Sequence, residues 1–136
     1  MTELTFADVS EAVRRTIAAY TQALDDGRTD DVVATFCSDA KIDLPGQGVF
    51  EGVDAIREAY AAWVPKVPQR HLVVNTQILE WDQEKAHAVS DLVFLLKAAD
   101  TWAVQLVGRY DDMFRRAPGQ TDDDSWLIHR RRAVFS

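Results

Sequence analysis

HLVVNTQILEW (residues 71–81) and AHAVSDLVFLLK (residues 86–97) decide the fold. Both are rich in β-branched and aromatic residues, and the first is about one strand long. Residues 82–85 between them read as a turn. In the second stretch Val89, Val93 and Leu95 alternate with Leu92, Phe94 and Leu96, so the strand is apolar on both faces. An antiparallel strand in a small protein normally wets one face. This one predicts a cover on the back of its sheet, namely a second subunit in a homodimer.

Working downstream, residues 101–116 and 126–135 read as two more strands, with a polar loop at 118–125. Upstream the period is helical. Val9, Val13, Ile17, Tyr20 and Leu24 fall on one stripe, with Thr5 or Asp8 as a start and Gly27 as a stop. Val32, Val33, Phe36 and Cys37 predict a second, short helix capped by Thr29 or Asp30. Residues 40–44 read as a short strand closed by the turn Pro45-Gly46-Gln47-Gly48. A third helix follows Gly52, with Ile56, Tyr60, Trp63 and Val64 on one face, and Pro65 and Pro68 end it. Three helices followed by four successive strands predict an α+β domain over residues 1–136, in which a curved antiparallel sheet wraps the helices.

The chain has 136 residues, a formal net charge of −7 and one cysteine. That composition excludes a disulfide scaffold, a collagen-like repeat and a disordered chain. The acidic balance argues against nucleic acid and anionic membrane surfaces as partners. No apolar run approaches the roughly 18 residues of a membrane span, and residues 1–13 show no signal-peptide pattern, so the expected location is cytoplasmic.

Candidate chemistry is sparse. His71, His87 and His129 lie too far apart for zinc spacing, and Asp122, Asp123 and Asp124 lack the Gly and Glu of a calcium loop. Gly46-Gln47-Gly48 is too short to cradle phosphate, no nucleotide fingerprint or nucleophile elbow occurs, and Cys37 reads as a small core residue. The expectation is therefore no metal and no cofactor. His71 opens a strand, and alternation puts it on one face with Val73 and Asn75. Asp25 lies just beyond the last turn of the first helix, where a carboxylate opposes the helix dipole.

The pattern Tyr20-x3-Leu24-Asp25-x-Gly27-x2-Asp30-x2-Val33-x2-Phe36, then Gly52-x3-Ile56-x3-Tyr60, then His71-x3-Asn75 resembles a SnoaL-like domain of the nuclear-transport-factor-2-like superfamily. Gly108-Arg109-Tyr110-x-Asp112-x-Phe114 and Trp126-x-Ile128-x2-Arg131 extend the resemblance. It implies a cone-shaped sheet around three N-terminal helices, an internal apolar pocket and dimerisation through the sheet. It also implies a site similar to that of scytalone dehydratase and the bile-acid dehydratases, whose Asp–His pair falls on Asp25 and His71. A second pocket His of the scytalone enzyme falls near Leu96. Ketosteroid isomerase is similar in its oxyanion-hole Tyr, matching Tyr20, but its base position falls on Leu44. The implied activity is cofactor-independent dehydratase or isomerase chemistry, by general acid–base catalysis, on a hydrophobic polycyclic, steroid- or polyketide-like molecule. Asp25, His71 and Tyr20 are the implied catalytic residues. Asn75, Tyr60, Trp63, Phe94 and Leu96 are the candidate ligand contacts. The alternative is a non-catalytic small-molecule-binding or interaction module of the same fold. Arg109 and Arg131 read as strand ion-pair partners, with Asp112 a candidate acid, and His87 and His129 as ordinary strand residues.

Overall fold

Thr5 starts the first helix. Its hydroxyl accepts from the Asp8 amide, and the Asp8 carboxylate accepts in return from the Thr5 amide, a reciprocal capping box. The computed structural model describes residues 3–117 and 125–136. Most of the polar loop expected at 118–125, and the acidic run Asp122, Asp123 and Asp124, lie outside the described residues. From Thr5 the helix α1 (Phe6–Asp25) runs for 20 residues and buries the expected stripe of Val9, Val13, Ile17, Tyr20 and Leu24. Gly27, at φ 73°, turns the chain out of it, a backbone conformation that costs glycine little.

Two short segments depart from the sequence reading. Helix α2 (Thr29–Val33) stops before Phe36 and Cys37, which belong to strand β1 (Phe36–Leu44). Helical spacing placed them on α2. Pairing of Phe36 with Ile128 on the last strand overrides that local preference. Beyond the Pro45–Gly48 turn a four-residue strand, β2 (Gly48–Glu51), folds back onto β1. Helix α3 (Val53–Ala62) follows.

The back half agrees closely with the periodicity. Strands β3 (Gln69–Trp81), β4 (Lys85–Ala98), β5 (Thr101–Arg116) and β6 (Trp126–Phe135) are successive antiparallel neighbours, and β1 lies parallel to β6. One mixed sheet results, in the order β2-β1-β6-β5-β4-β3. The expected cone does not form. The sheet is open, with β2 and β3 as its edges, and it is neither closed on itself nor strongly curved around the helices. Closure needs the two edges to bond, and β2 pairs only with β1 while β3 pairs only with β4.

The helices cover one face of this sheet. Ala86, Ala88, Ser90 and Leu92 alternate into the core along β4, joined by Tyr110, Asp112 and Phe114 of β5. The alternation fades beyond Leu92, where residues 93–97 are half-buried. The inner face of the strands there borders a cavity instead of a packed helix. Gly108 belongs to this region because a Cβ on it would meet the Val134 carbonyl oxygen at 2.8 Å and Phe135 Cδ1 at 2.9 Å. Gly108→Ala is expected to push Phe135 off the strand and to cost about 1–3 kcal/mol, read as a lower urea midpoint with unchanged slope.

Candidate active site at the end of the first helix

Asp25 is the last residue of α1, and the Gly27 turn lets its side chain meet the start of β3 instead of water. Its Oδ2 accepts from the His71 backbone amide at 2.8 Å. Its Oδ1 lies 2.7 Å from His71 Nδ1 and accepts from Gln69 Nε2 at 3.1 Å. Three donors thus converge on one carboxylate whose side chain is only 6% exposed, while that of His71 is 15% exposed. The dipole mismatch read from sequence is resolved: the strand supplies the donors that the helix end withholds. The His71 ring stacks on Phe94, with centroids 4.4 Å apart and planes 30° apart. Bonding at Nδ1 and stacking on one face together fix the ring. Nε2 has no protein partner among the described residues.

His71 borders a cavity of about 200 Å³. Of the residues expected at the site, Tyr20 of α1, Tyr60 and Trp63 from α3 and its C-cap, and Phe94 of β4 also line it. Tyr20 stays on the cavity side because it lies on the buried stripe of α1, whereas Asp25 reaches the site at the helix end. The Tyr20 and Tyr60 hydroxyls are 2.8 Å apart, and their rings meet edge to face at 5.9 Å. Tyr60 also packs edge to face on Trp63, at 5.1 Å. Burial raises the pKa of Tyr20, Tyr60 and Tyr110 above the ordinary phenol value, so all three hydroxyls keep their protons; one proton of the Tyr20–Tyr60 pair lies between the two oxygens and the other is left to donate.

Two expected contacts are placed elsewhere. Asn75 does not border the cavity. It adopts φ 55° where the β3–β4 register shifts, and its Nδ2 donates to Asp91 Oδ2 at 2.9 Å. The left-handed residue breaks the alternation that put it beside His71. Leu96 is half-buried opposite Gln69 in the β3–β4 register and does not border the cavity either. Conversely, Leu24, Leu44, Gln47, Gln69, Leu92, Leu106, Tyr110 and Phe135 border the cavity without having been expected as ligand contacts. Of these, only Gln69 carried a readable signal, since two residues before His71 is the same strand face.

Outside the cavity, Arg131 pairs with Asp112 and Arg109 with Asp91. His87 Nε2 lies 2.6 Å from Asp111, and Cys37 is buried, which pushes its thiol pKa up to about 11. Among the described residues no three His, Cys, Asp or Glu side chains are grouped to hold a metal ion, and no helix is long and apolar enough to cross a membrane.

The SnoaL-like domain family matches residues 7–132. No curated protein matches in sequence. A protein of unknown function from Nostoc punctiforme is 20% identical, covers 99% of this chain and 96% of its own, and superposes with a TM-score of 0.82. A scytalone dehydratase candidate from Novosphingobium aromaticivorans is 18% identical over 93% of this chain and 83% of its own, with a TM-score of 0.79. The protein LinA is 15% identical over 94% and 86%, with a TM-score of 0.78. At these identities the likeness concerns the fold.

Proposed function

The chain belongs to the SnoaL-like domain family, in the nuclear-transport-factor-2-like superfamily, and we propose that it is a cofactor-independent general acid–base catalyst acting on a small hydrophobic molecule. The observation that carries the reading is the 2.7 Å contact between Asp25 and His71 at the wall of an apolar, aromatic cavity. A carboxylate is acceptor-only, so the proton at that contact sits on Nδ1 and the neutral ring keeps its basic lone pair on Nε2. That nitrogen removes a proton from a carbon next to a carbonyl. Negative charge then grows on the carbonyl oxygen, where the Tyr20–Tyr60 pair supplies a donor. The imidazolium returns its proton to a departing hydroxyl, releasing water, or to another carbon, completing an isomerisation. Either outcome leaves His71 neutral for the next cycle. The scytalone dehydratase candidate among the structural relatives agrees with the first outcome.

The cavity also narrows the ligand. Small-molecule pockets commonly hold about 300–1,000 Å³, and the half-open 200 Å³ here suits one or two rings better than a complete four-ring steroid. The first test is turnover of cyclic β-hydroxycarbonyl compounds of that size by the wild type and by the Asp25→Asn and His71→Ala variants. Full activity in both variants removes the reading.

The outer face of the sheet supports assembly as a homodimer. Leu72, Val74, Trp102, Val104, Val107 and Val134 are all exposed on β3, β5 and β6. Monomeric proteins rarely leave large contiguous apolar patches in water. The Arg109–Asp91 pair on the neighbouring strands places both signs of charge near the patch, so a copy related by a two-fold axis meets complementary groups. Light scattering is expected to give twice the chain mass for the wild type and the chain mass for Val104→Glu. A monomeric wild type at micromolar concentration excludes the dimer.

A further inference from the structure

We propose that Gln69 is a positioning and specificity-determining residue: its amide nitrogen holds the Asp25 carboxylate, and its amide oxygen accepts a hydrogen bond from a hydroxyl group of the ligand. The proposal rests on the acid–base reading only where it places that hydroxyl beside His71.

Gln69 opens β3 and shares a strand face with His71. It is 7% exposed, an unusual burial for a glutamine. Its Nε2 reaches Asp25 Oδ1 at 3.1 Å. A carboxylate can only accept, so the NH2 end must face Asp25, and this fixes which way the amide lies. The backbone carbonyl of Gln69 is separately satisfied by Arg70 Nη1 at 2.7 Å. The side-chain oxygen Oε1 has no donor from the protein among the described residues. It is also not one of the sealed, unpartnered atoms, and Gln69 borders the cavity. A nearly buried amide oxygen, without a protein donor and not sealed, thus belongs to a residue of the cavity wall.

The rest of the wall makes this oxygen informative. Tyr20, Tyr60 and Tyr110 keep their protons, and the Tyr20–Tyr60 pair has one proton left to donate. They suit a carbonyl oxygen on the ligand. Gln69 Oε1 is an acceptor at the dyad end and suits a hydroxyl. Together they select a ligand of one or two rings with an acceptor oxygen toward the tyrosines and a hydroxyl toward His71. A site built to bond a hydroxyl discriminates against an analogue without one, because the protein's own polar group is then left unpaired. Gln69 also shares Oδ1 with His71 Nδ1, so it tempers the pull of the carboxylate on that ring proton.

The experiment uses two bicyclic probes, 2-naphthol and 2-methoxynaphthalene. They share ring and oxygen, but the ether has no proton to donate. The wild type is expected to bind the naphthol about three- to tenfold more tightly, measured by calorimetry. Gln69→Met, close in volume, is expected to bring the ratio to about one through weaker naphthol binding with ether binding unchanged. In the same variant the His71 Nδ1 proton resonance is expected to move downfield, since Asp25 has lost a competing donor. Gln69→Asn, which withdraws the amide by one methylene, should lose the preference in the same way, and it carries the test if the Met variant does not fold. A merely structural Gln69 changes both probes alike and leaves the ring proton in place. The proposal is overturned if the wild type shows no naphthol preference, whether both probes bind equally or neither binds, or if the preference survives in a folded variant. Equilibrium binding needs no proton transfer. A naphthol preference alongside inert Asp25 and His71 therefore removes the catalytic reading and keeps this one, and turnover without the preference does the reverse.

Discussion

Asp25→Asn is expected to lower turnover by about 10²–10⁴-fold, the usual worth of a positioned general base. The substitution preserves shape but replaces one acceptor oxygen by an NH2 group. Three donors converge on Asp25, from Gln69 Nε2, the His71 amide and His71 Nδ1. Oδ1 takes two of these donors, so an NH2 group in its place faces both Nδ1 and Gln69 Nε2. The ring then takes the other tautomer, its proton moves to Nε2, and the base is lost at the atom proposed to meet substrate. The unpaired donor also costs about 1–3 kcal/mol of stability, which a denaturation curve separates from the catalytic loss. His71→Ala is expected to match the rate loss, because the carboxylate has no role without the ring. Combining the two should add little, as befits residues that act as one unit. Rates measured on the folded fraction check the expectation, and independent, multiplying effects would contradict it.

The second large effect concerns stability. Arg131 and Asp112 lie side by side on β6 and β5 and form a two-pronged pair, Nε to Oδ1 at 2.8 Å and Nη2 to Oδ2 at 2.9 Å, almost wholly buried. The guanidinium lies 3.8 Å from the Tyr110 ring centroid and 4.4 Å from that of Tyr20. Burial opposes its charge, yet Asp112 and the two tyrosines hold its pKa above the ordinary arginine value. Asp112→Asn is expected to cost about 3–5 kcal/mol, because a buried cation loses its counter-charge. For a chain of this length that lowers Tm by on the order of 10 °C. Arg131→Met should cost a similar amount by stranding the carboxylate. Replacing both, with Asp112→Leu and Arg131→Met together, should recover most of the loss, since an apolar pair strands no charge. Calorimetric melts of the four proteins form the test. A small effect of either single change would mean that water reaches the pair.

These two sites differ in how far the sequence disclosed them. Asp25 and His71 could be picked out singly, one by its odd place at a helix end and the other by its place at the head of a strand. Their contact is a matter of the Gly27 turn and the β3 edge meeting across 46 residues. Arg131 and Asp112 read only as strand ion-pair partners. Nothing in their spacing announced that both would be buried, because that depends on which face of β5 and β6 the helices cover. The Asn75 placement failed for a local reason: one left-handed residue and a shifted register turned it toward Asp91. The cone failed for a global one, as strand periodicity records which residues share a face and says nothing of whether two distant edges bond.

The sequence by itself determined the elements: the capped first helix with its buried stripe, the third helix, the four long strands and the turns between most of them. Periods of 3.6 and 2 are properties of a local chain, and local physics suffices to read them. Only the tertiary structure decided what those elements enclose. It moved Phe36 and Cys37 from helix to strand, left the sheet open, and gathered Gln69, Leu106, Tyr110 and Phe135 around one cavity. A cavity is the space that packing leaves between elements far apart in the chain, so no local pattern encodes it.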